Sequence, residues 1–247
     1  MSGKAHRFAT EEIEKFTTVD LIAELKRRYQ VLSRPERSCV LLGPAYSGLS
    51  TQAAFLRKEW GLCSISREDI LPEDNSSTIE TGMTKLSQEL NSFRCRRGFA
   101  LTRFPSSASE AEALDDLLGK KHPHKRDYKV IVFQVPEDDS GTDLLSNRAK
   151  GHLIHENSGR IYNSNVPELM PQTPYLDDIT GDPLVGPQWK ISNVEEKITQ
   201  WWNTQLPSVA KYYGSKIRTI NATESRDSVS VEISKLLLNS ESTEEKM

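Results

Sequence analysis

Long hydrophobic runs are missing from this chain: nothing in its 247 residues approaches the roughly 18 consecutive apolar residues that a membrane-spanning helix needs. An excess of charge of one sign is missing too. The 32 Lys and Arg against 35 Asp and Glu leave a net charge of −3 and a pI near 6.0. That balance argues against a general binder of nucleic acid or of membrane surfaces. Cysteine is scarce. Cys39, Cys63 and Cys95 are odd in number and scattered, so they are expected to be ordinary thiols in a reducing compartment, neither a disulfide framework nor a metal quartet. Residues 1–16 carry acids but no apolar core of a signal, so an intracellular protein is expected, cytoplasmic first, with a mitochondrial or cytoskeletal assembly as alternatives. The 36% hydrophobic content that is present suits one α/β domain with appendages.

Hydrophobic periodicity predicts a helix over residues 10–34, where Ile13, Phe16, Leu21, Ile22, Leu25, Tyr29 and Leu32 recur at helical spacing. Pro35 ends it, because a residue before proline avoids the α region. Strands are expected at 38–42, 99–102, 129–135 and 217–220, and helices at 49–60, 78–93, 108–119, 140–149, 193–213 and 227–239. Strands alternating with helices predict a parallel sheet covered on both faces. Residues 151–188, rich in Pro, Gly, Asn and Asp, interrupt the rhythm as an irregular or hairpin-like insertion.

The most informative stretch is Cys39-Val40-Leu41-Leu42-Gly43-Pro44-Ala45-Tyr46-Ser47-Gly48-Leu49-Ser50-Thr51-Gln52. An apolar strand runs into Gly-x-x-x-x-Gly and then a helix, the arrangement that wraps backbone N–H groups around phosphate. The lysine that should follow the second glycine, to reach the β- and γ-phosphates, is Leu49. Gly43, Ser47, Gly48, Ser50 and Thr51 remain as candidate nucleotide-binding residues. Tyr46 adds a ring where backbone should approach phosphate, so occlusion of the loop is expected.

Four segments, taken in order, make the chain resemble adenylate kinase and its nucleoside-monophosphate-kinase relatives over roughly residues 38–238. They are the loop with Thr51-Gln52-Ala53; Gly98-Phe99-Ala100-Leu101-Thr102-Arg103-Phe104-Pro105 with Glu110-Ala111-Glu112-Ala113-Leu114; Asn147-Arg148 through Ser158-Gly159-Arg160-Ile161-Tyr162 to Asp177-Asp178-Ile179-Thr180-Gly181-Asp182-Pro183-Leu184; and Gln205-Leu206-Pro207-Ser208-Val209. The resemblance implies a P-loop three-layer α/β fold with a central parallel sheet and a small lid. It also implies an organisation: an N-terminal helical extension at 1–37, the core at 38–238, with the lid at 151–188 and a shortened monophosphate-binding segment at 66–95, and a disordered tail at 239–247.

The resemblance also implies which contacts are gone. The magnesium-ordering aspartate falls at Thr102, the monophosphate-gripping arginine at Ser106 and the adenine-reading glutamine at Glu110, an acceptor-only group when ionised. Arg103 is one candidate substitute for the missing arginine and Arg67 another group that could meet a phosphate, but both are expected to be solvated arginines. Arg148 matches the lid arginine that stacks on the ATP base, and His152 stands where another arginine belongs. Lys190 and Lys197 are the cations a residual phosphotransfer would use. The four lid positions that bind zinc in some relatives are His155, Ser158, Asp177 and Thr180, a polar quartet expected to hold no metal. His122 and His124 lie in a basic connection expected to be solvated.

These readings predict a member of the family that is catalytically inactive or severely impaired, acting as a scaffold or interaction protein. Residual phosphotransfer between ATP and AMP, or ATP sensing without turnover, stand as alternatives. No cofactor is certain; ATP and Mg2+ are expected only if nucleotide binding survives. A protein partner is expected at the N-terminal helix or at Trp201 and Trp202, which cannot both face one side of a helix.

Overall fold

A computed structural model describes residues 17–72, 78–186 and 192–239. The predicted helical turns before Thr17, the tail from residue 240, Trp189 and Lys190 lie outside the described residues. Helix α1 (Thr18–Ser33) opens with a capping box in which the Thr17 hydroxyl accepts from the Asp20 N–H and the Asp20 carboxylate accepts from the Thr17 N–H. It leads into strand β1 (Ser38–Leu42), then α2 (Leu49–Trp60), β2 (Cys63–Ser66), the single turn α3 (Arg67–Ile70) and α4 (Ile79–Asn91). Strand β3 (Phe99–Thr102), α5 (Ala108–Lys121), β4 (Tyr128–Gln134) and α6 (Asp139–Lys150) continue the alternation. The hairpin β5 (His152–His155) and β6 (Arg160–Asn163) forms the insertion, followed by α7 (Ser192–Gln200), α8 (Leu206–Tyr213), β7 (Ile217–Asn221) and α9 (Arg226–Leu238).

The five-stranded sheet has the order β2-β3-β1-β4-β7 and is parallel throughout. Every residue of β1 is buried, as a central strand covered on both faces requires. Alternate side chains enter two cores. Val40 and Leu42, with Phe99, Leu101, Val130 and Val132, pack under α4, α5 and α8. Cys39 and Leu41, with Ala100, Ile131, Phe133 and Ile220, pack under α2, α6 and α9. The chain is therefore an α/β P-loop-type fold with helices on both faces of a parallel sheet.

Four expectations need correction. Cys63 and Cys95, both buried, are joined by a disulfide between the start of β2 and the turn that precedes β3. Their separation of 32 residues hid a pairing that the sheet creates by laying β2 against β3. Strand β2 itself escaped the periodicity, because its four residues Cys-Ser-Ile-Ser carry only two buried side chains. The helix predicted over 193–213 is interrupted by a π-type turn, Trp201–Gln205, just ahead of Pro207, a residue with no N–H for the regular ladder. The connection at 122–126 is not solvated throughout. His122 is buried against Ser87 (Nε2···Oγ 3.2 Å) and the buried Lys125 ammonium donates to the Leu90 carbonyl at 2.6 Å.

Helix α1 lies on the body through arginines more than through apolar packing. Arg27 donates to the Lys58 carbonyl, Arg34 to the Glu59 carbonyl and Arg97 to the Leu32 and Arg34 carbonyls. Val31 alone of its residues is buried, while Val19, Ile22, Leu25, Tyr29 and Leu32 are exposed. Trp201 is buried, and Trp202 packs half-buried between the two cores.

Candidate functional site

A cleft of about 1010 Å³ opens at the carboxyl ends of the strands, where an open α/β sheet places its ligands. Its floor is the loop between β1 and α2. Gly43 is required there by crowding, since a Cβ would stand 2.8 Å from Ser47 Oγ and 2.9 Å from Phe133 Cβ. Gly48 is required by conformation, with φ of 101° at the N-cap of α2. Gln52, buried, ties α2 to α9 by donating to the Arg226 carbonyl (2.9 Å) and accepting from Ser230 Oγ (2.9 Å). Ser47 Oγ is buried on the cleft wall and has no hydrogen-bond partner among the described residues. An orphaned hydroxyl and a free helix N-terminus on one loop suit an anionic oxygen.

Gly43, Ser47, Gly48, Ser50 and Thr51 all line this cleft, and Arg148 lies on its wall, donating to the Ala222 carbonyl at 3.1 Å. Leu49 is 5% exposed and sits in the core with Leu56, so the lysine position has become part of the hydrophobic interior. Tyr46 is correctly placed on the loop but does not occlude it. Held at φ 63°, its ring stands edge-on to His152 at 5.8 Å and forms wall, not plug. Burial raises the Tyr46 phenol pKa, offset by the Arg103 charge; burial and Arg103 together lower the His152 pKa, so its imidazole is neutral at neutral pH.

The side of the cleft where the resemblance places a monophosphate is arranged in a way the sequence did not disclose. Arg67 is not simply solvated: Nη1 and Nη2 donate to Glu110 Oε2 and Oε1 at 2.7 and 2.8 Å, and its guanidinium lies 5.8 Å from the Phe104 ring centre. Ser106 donates to Glu110 from both N and Oγ (2.7 and 3.0 Å). Burial acts to raise the Glu110 pKa, but Arg67 and the Ser106 N–H outweigh it and hold the carboxyl below its usual range. Glu110, which stands in place of a base-reading glutamine, and Arg67 thus satisfy each other. Glu110 is behind the cleft wall; Arg67 is on it.

Thr102, where the resemblance places a magnesium-ordering acid, presents a hydroxyl and is buried, and the carboxylate residues on the cleft wall are Glu68, Glu168 and Glu224. Among the described residues no cluster of three His, Cys, Asp or Glu side chains could hold a metal ion. The cleft cations are Arg67, Arg103, Arg148, Lys197 and Arg226, the last of which had no sequence signal beyond its helix start.

On the cleft wall, the β5–β6 hairpin and the residues packed on it are organised around Asp177. Its buried carboxylate accepts from Arg160 Nε and Nη2 (2.7 and 2.6 Å), from Tyr162 (3.0 Å) and from the Thr180 N–H and hydroxyl (2.8 and 2.9 Å). Arg160 is first among the causes that hold its pKa far below the usual carboxylate range. His155, also buried, bonds Ser158 Oγ at 2.7 Å and Asp182 at 3.1 Å, with Thr180 Oγ1 at 3.5 Å. His155, Ser158, Asp177 and Thr180 therefore come together, joined by Arg160, Tyr162 and Asp182, which the sequence reading had not assigned a role.

No helix among the described residues is long and apolar enough to cross a membrane. No family profile matches the chain. Adenylate kinase 4 of Arabidopsis thaliana is 30% identical to it, over 93% of this chain and 98% of that protein. Adenylate kinase 4 of Oryza sativa subsp. japonica is 28% identical over 93% and 99%, and the adenylate kinase of Malassezia globosa 31% over 81% and 84%. Likeness that runs nearly end to end, on a parallel sheet whose phosphate-type loop and β5–β6 hairpin line one cleft, puts this chain in the adenylate kinase family.

Proposed function

We propose that this chain is a catalytically impaired adenylate kinase homologue that binds a nucleoside polyphosphate in its cleft and turns it over slowly or not at all. One observation carries the reading: the cleft and its phosphate-type loop are open, while Leu49 is committed to the core and Arg67 is committed to Glu110. Binding uses the loop N–H groups, Ser47 Oγ and the cleft arginines. Transfer needs more. Phosphoryl transfer is mostly positioning and stabilisation of spread negative charge, and single members of such charge clamps are worth orders of magnitude in rate. Here the family's lysine, magnesium-ordering acid and monophosphate arginine are Leu49, Thr102 and Ser106 together. ATP would bring Mg2+ on its own phosphates, with no carboxylate at Thr102 to order the ion's water shell.

Calorimetric titration with MgATP, AMP and a bisubstrate dinucleotide, with a coupled phosphotransfer assay, tests this. The expected result is MgATP binding, no AMP binding near millimolar concentration, a dinucleotide no tighter than ATP, and transfer at the uncatalysed background. A dinucleotide that binds far tighter than ATP, with turnover, overturns it. A second reading, a scaffold, is favoured by the exposed apolar residues Ile22, Leu25, Tyr29 and Leu32, which fall at 3-4-3 spacing along α1. It predicts that deleting residues 1–33 abolishes partner association and leaves MgATP binding intact.

A further inference from the structure

The missing lysine leaves a charge to be found, and the strand next door carries one. The Arg103 N–H donates to the Leu41 carbonyl at 3.1 Å, and Leu41 pairs with Thr102 across β1 and β3. Residue 103 therefore lies beside the point where β1 turns into the phosphate loop. It lines the same cleft as Gly43, Gly48 and Ser50. Its charge is felt at both Tyr46 and His152, on the loop and the lid.

Two features set this arginine apart. Its φ of 60° is the left-handed region, which a glycine occupies without cost and an arginine does not. Backbone strain kept beside a cleft points to a use for the side chain. Its ties are also light. Among the described residues the guanidinium makes one hydrogen bond, Nη2 to Glu68 Oε2 at 2.9 Å, between side chains 41% and 47% exposed. A pair so solvated holds little energy and is readily exchanged.

We propose that Arg103 is the phosphate-contacting cation of this cleft, supplying from β3 the charge that Leu49 no longer supplies, with Glu68 as its resting partner. The assignment rests on the nucleotide-binding reading above. Its ligand is the polyphosphate of a nucleoside di- or triphosphate. On binding, the guanidinium exchanges one carboxylate bond for the two-pronged grip that a planar fork makes on phosphate oxygens. Glu68, on the cleft wall, competes with the ligand for it.

The test is calorimetry on the full chain with MgATP, inorganic triphosphate and adenosine, comparing the unaltered protein with Arg103→Gly and Glu68→Gln. Arg103→Gly is expected to weaken MgATP and triphosphate about 10- to 100-fold, the worth of one or two charge-assisted bonds, and to leave adenosine unchanged. Its melting temperature should equal or exceed that of the unaltered chain, because glycine removes the left-handed strain. Loss of affinity thus cannot come from misfolding. Glu68→Gln is expected to tighten triphosphate several-fold. Equal MgATP affinity in the unaltered and Arg103→Gly proteins overturns the Arg103 assignment alone. An unaltered chain that binds neither MgATP nor triphosphate overturns the nucleotide-binding reading and the assignment with it.

Discussion

The Arg67–Glu110 pair offers the sharpest energetic test of how the monophosphate side was remodelled. Glu110 is 6% exposed and accepts four hydrogen bonds, two from Arg67 and two from Ser106. Glu110→Ala leaves Arg67 without its partner. Removing one member of a buried pair costs about 3–5 kcal/mol, and the low end applies because the Arg67 side chain is 31% exposed and can rehydrate. A loss of about 3 kcal/mol in a chain of this size lowers the melting temperature by about 6–12 °C. Packing changes are separated by a double-mutant cycle of Glu110→Gln and Arg67→Met, with urea denaturation as the assay. The expected coupling is about 1.5–3 kcal/mol. The sign of its pH dependence follows from the depressed carboxyl. The folded pKa lies below the unfolded one, so the stabilisation is complete above the unfolded value, near 4.3, and fades as pH falls through the folded value. The gap between the unaltered chain and Glu110→Gln should therefore narrow in acid. A coupling within about 0.5 kcal/mol of zero, with no narrowing, would refute the claim that the pair is an energetic unit.

Leu49→Lys keeps its stem in the core and places an ammonium at the cleft; it should raise MgATP affinity about tenfold by calorimetry without restoring transfer, since Thr102 and Ser106 are unchanged. Turnover from that single change would contradict the proposed function. Asp177→Asn removes the acceptor shared by Arg160, Tyr162 and Thr180, so hydrogen exchange in β5 and β6 should accelerate while β1 and β4 stay protected. Because the Asp177 pKa is lowered on folding, the hairpin's stabilisation is present above the unfolded value and is lost only in strong acid. Reducing Cys63–Cys95 opens a loop spanning 32 positions and should cost about 3–4 kcal/mol by the chain-entropy relation, measured as a drop in the urea midpoint with reductant. Buried Cys39, whose thiol is pushed up to about 12 by burial, should resist thiol reagents in the native protein under both conditions.

Much of the fold was legible in the sequence because it follows from local physics. Strands β1, β3 and β4 are largely apolar runs and β7 alternates Ile217 and Ile220 with polar residues, and the alternation of these strands with amphipathic helices specifies a parallel sheet. The phosphate-type loop was legible because only glycine suits Gly43 and Gly48, one through crowding and one through backbone angle. The polar quartet His155, Ser158, Asp177 and Thr180 was named through the family resemblance and not through its spacing. The replacement of lysine by Leu49 needed no structure at all.

What the sequence could not disclose are relations between residues far apart in the chain. Arg67 and Glu110 are 43 positions apart, and each alone looks like an ordinary charged residue. Cys63 and Cys95 looked like separate thiols until the register of β2 on β3 brought them together. Tyr46 read as a plug because its ring's direction depends on the left-handed backbone at φ 63° and on His152, which arrives from the lid. Arg103 was a candidate substitute whose direction the sequence did not give, because position along a strand says nothing about what the neighbouring strand presents. The sequence by itself determined most of the elements, the family and the residues that are missing. The tertiary structure decided which remaining charges are committed to one another and which still face the cleft, because ion pairing depends on distance and burial through space and not on order along the chain.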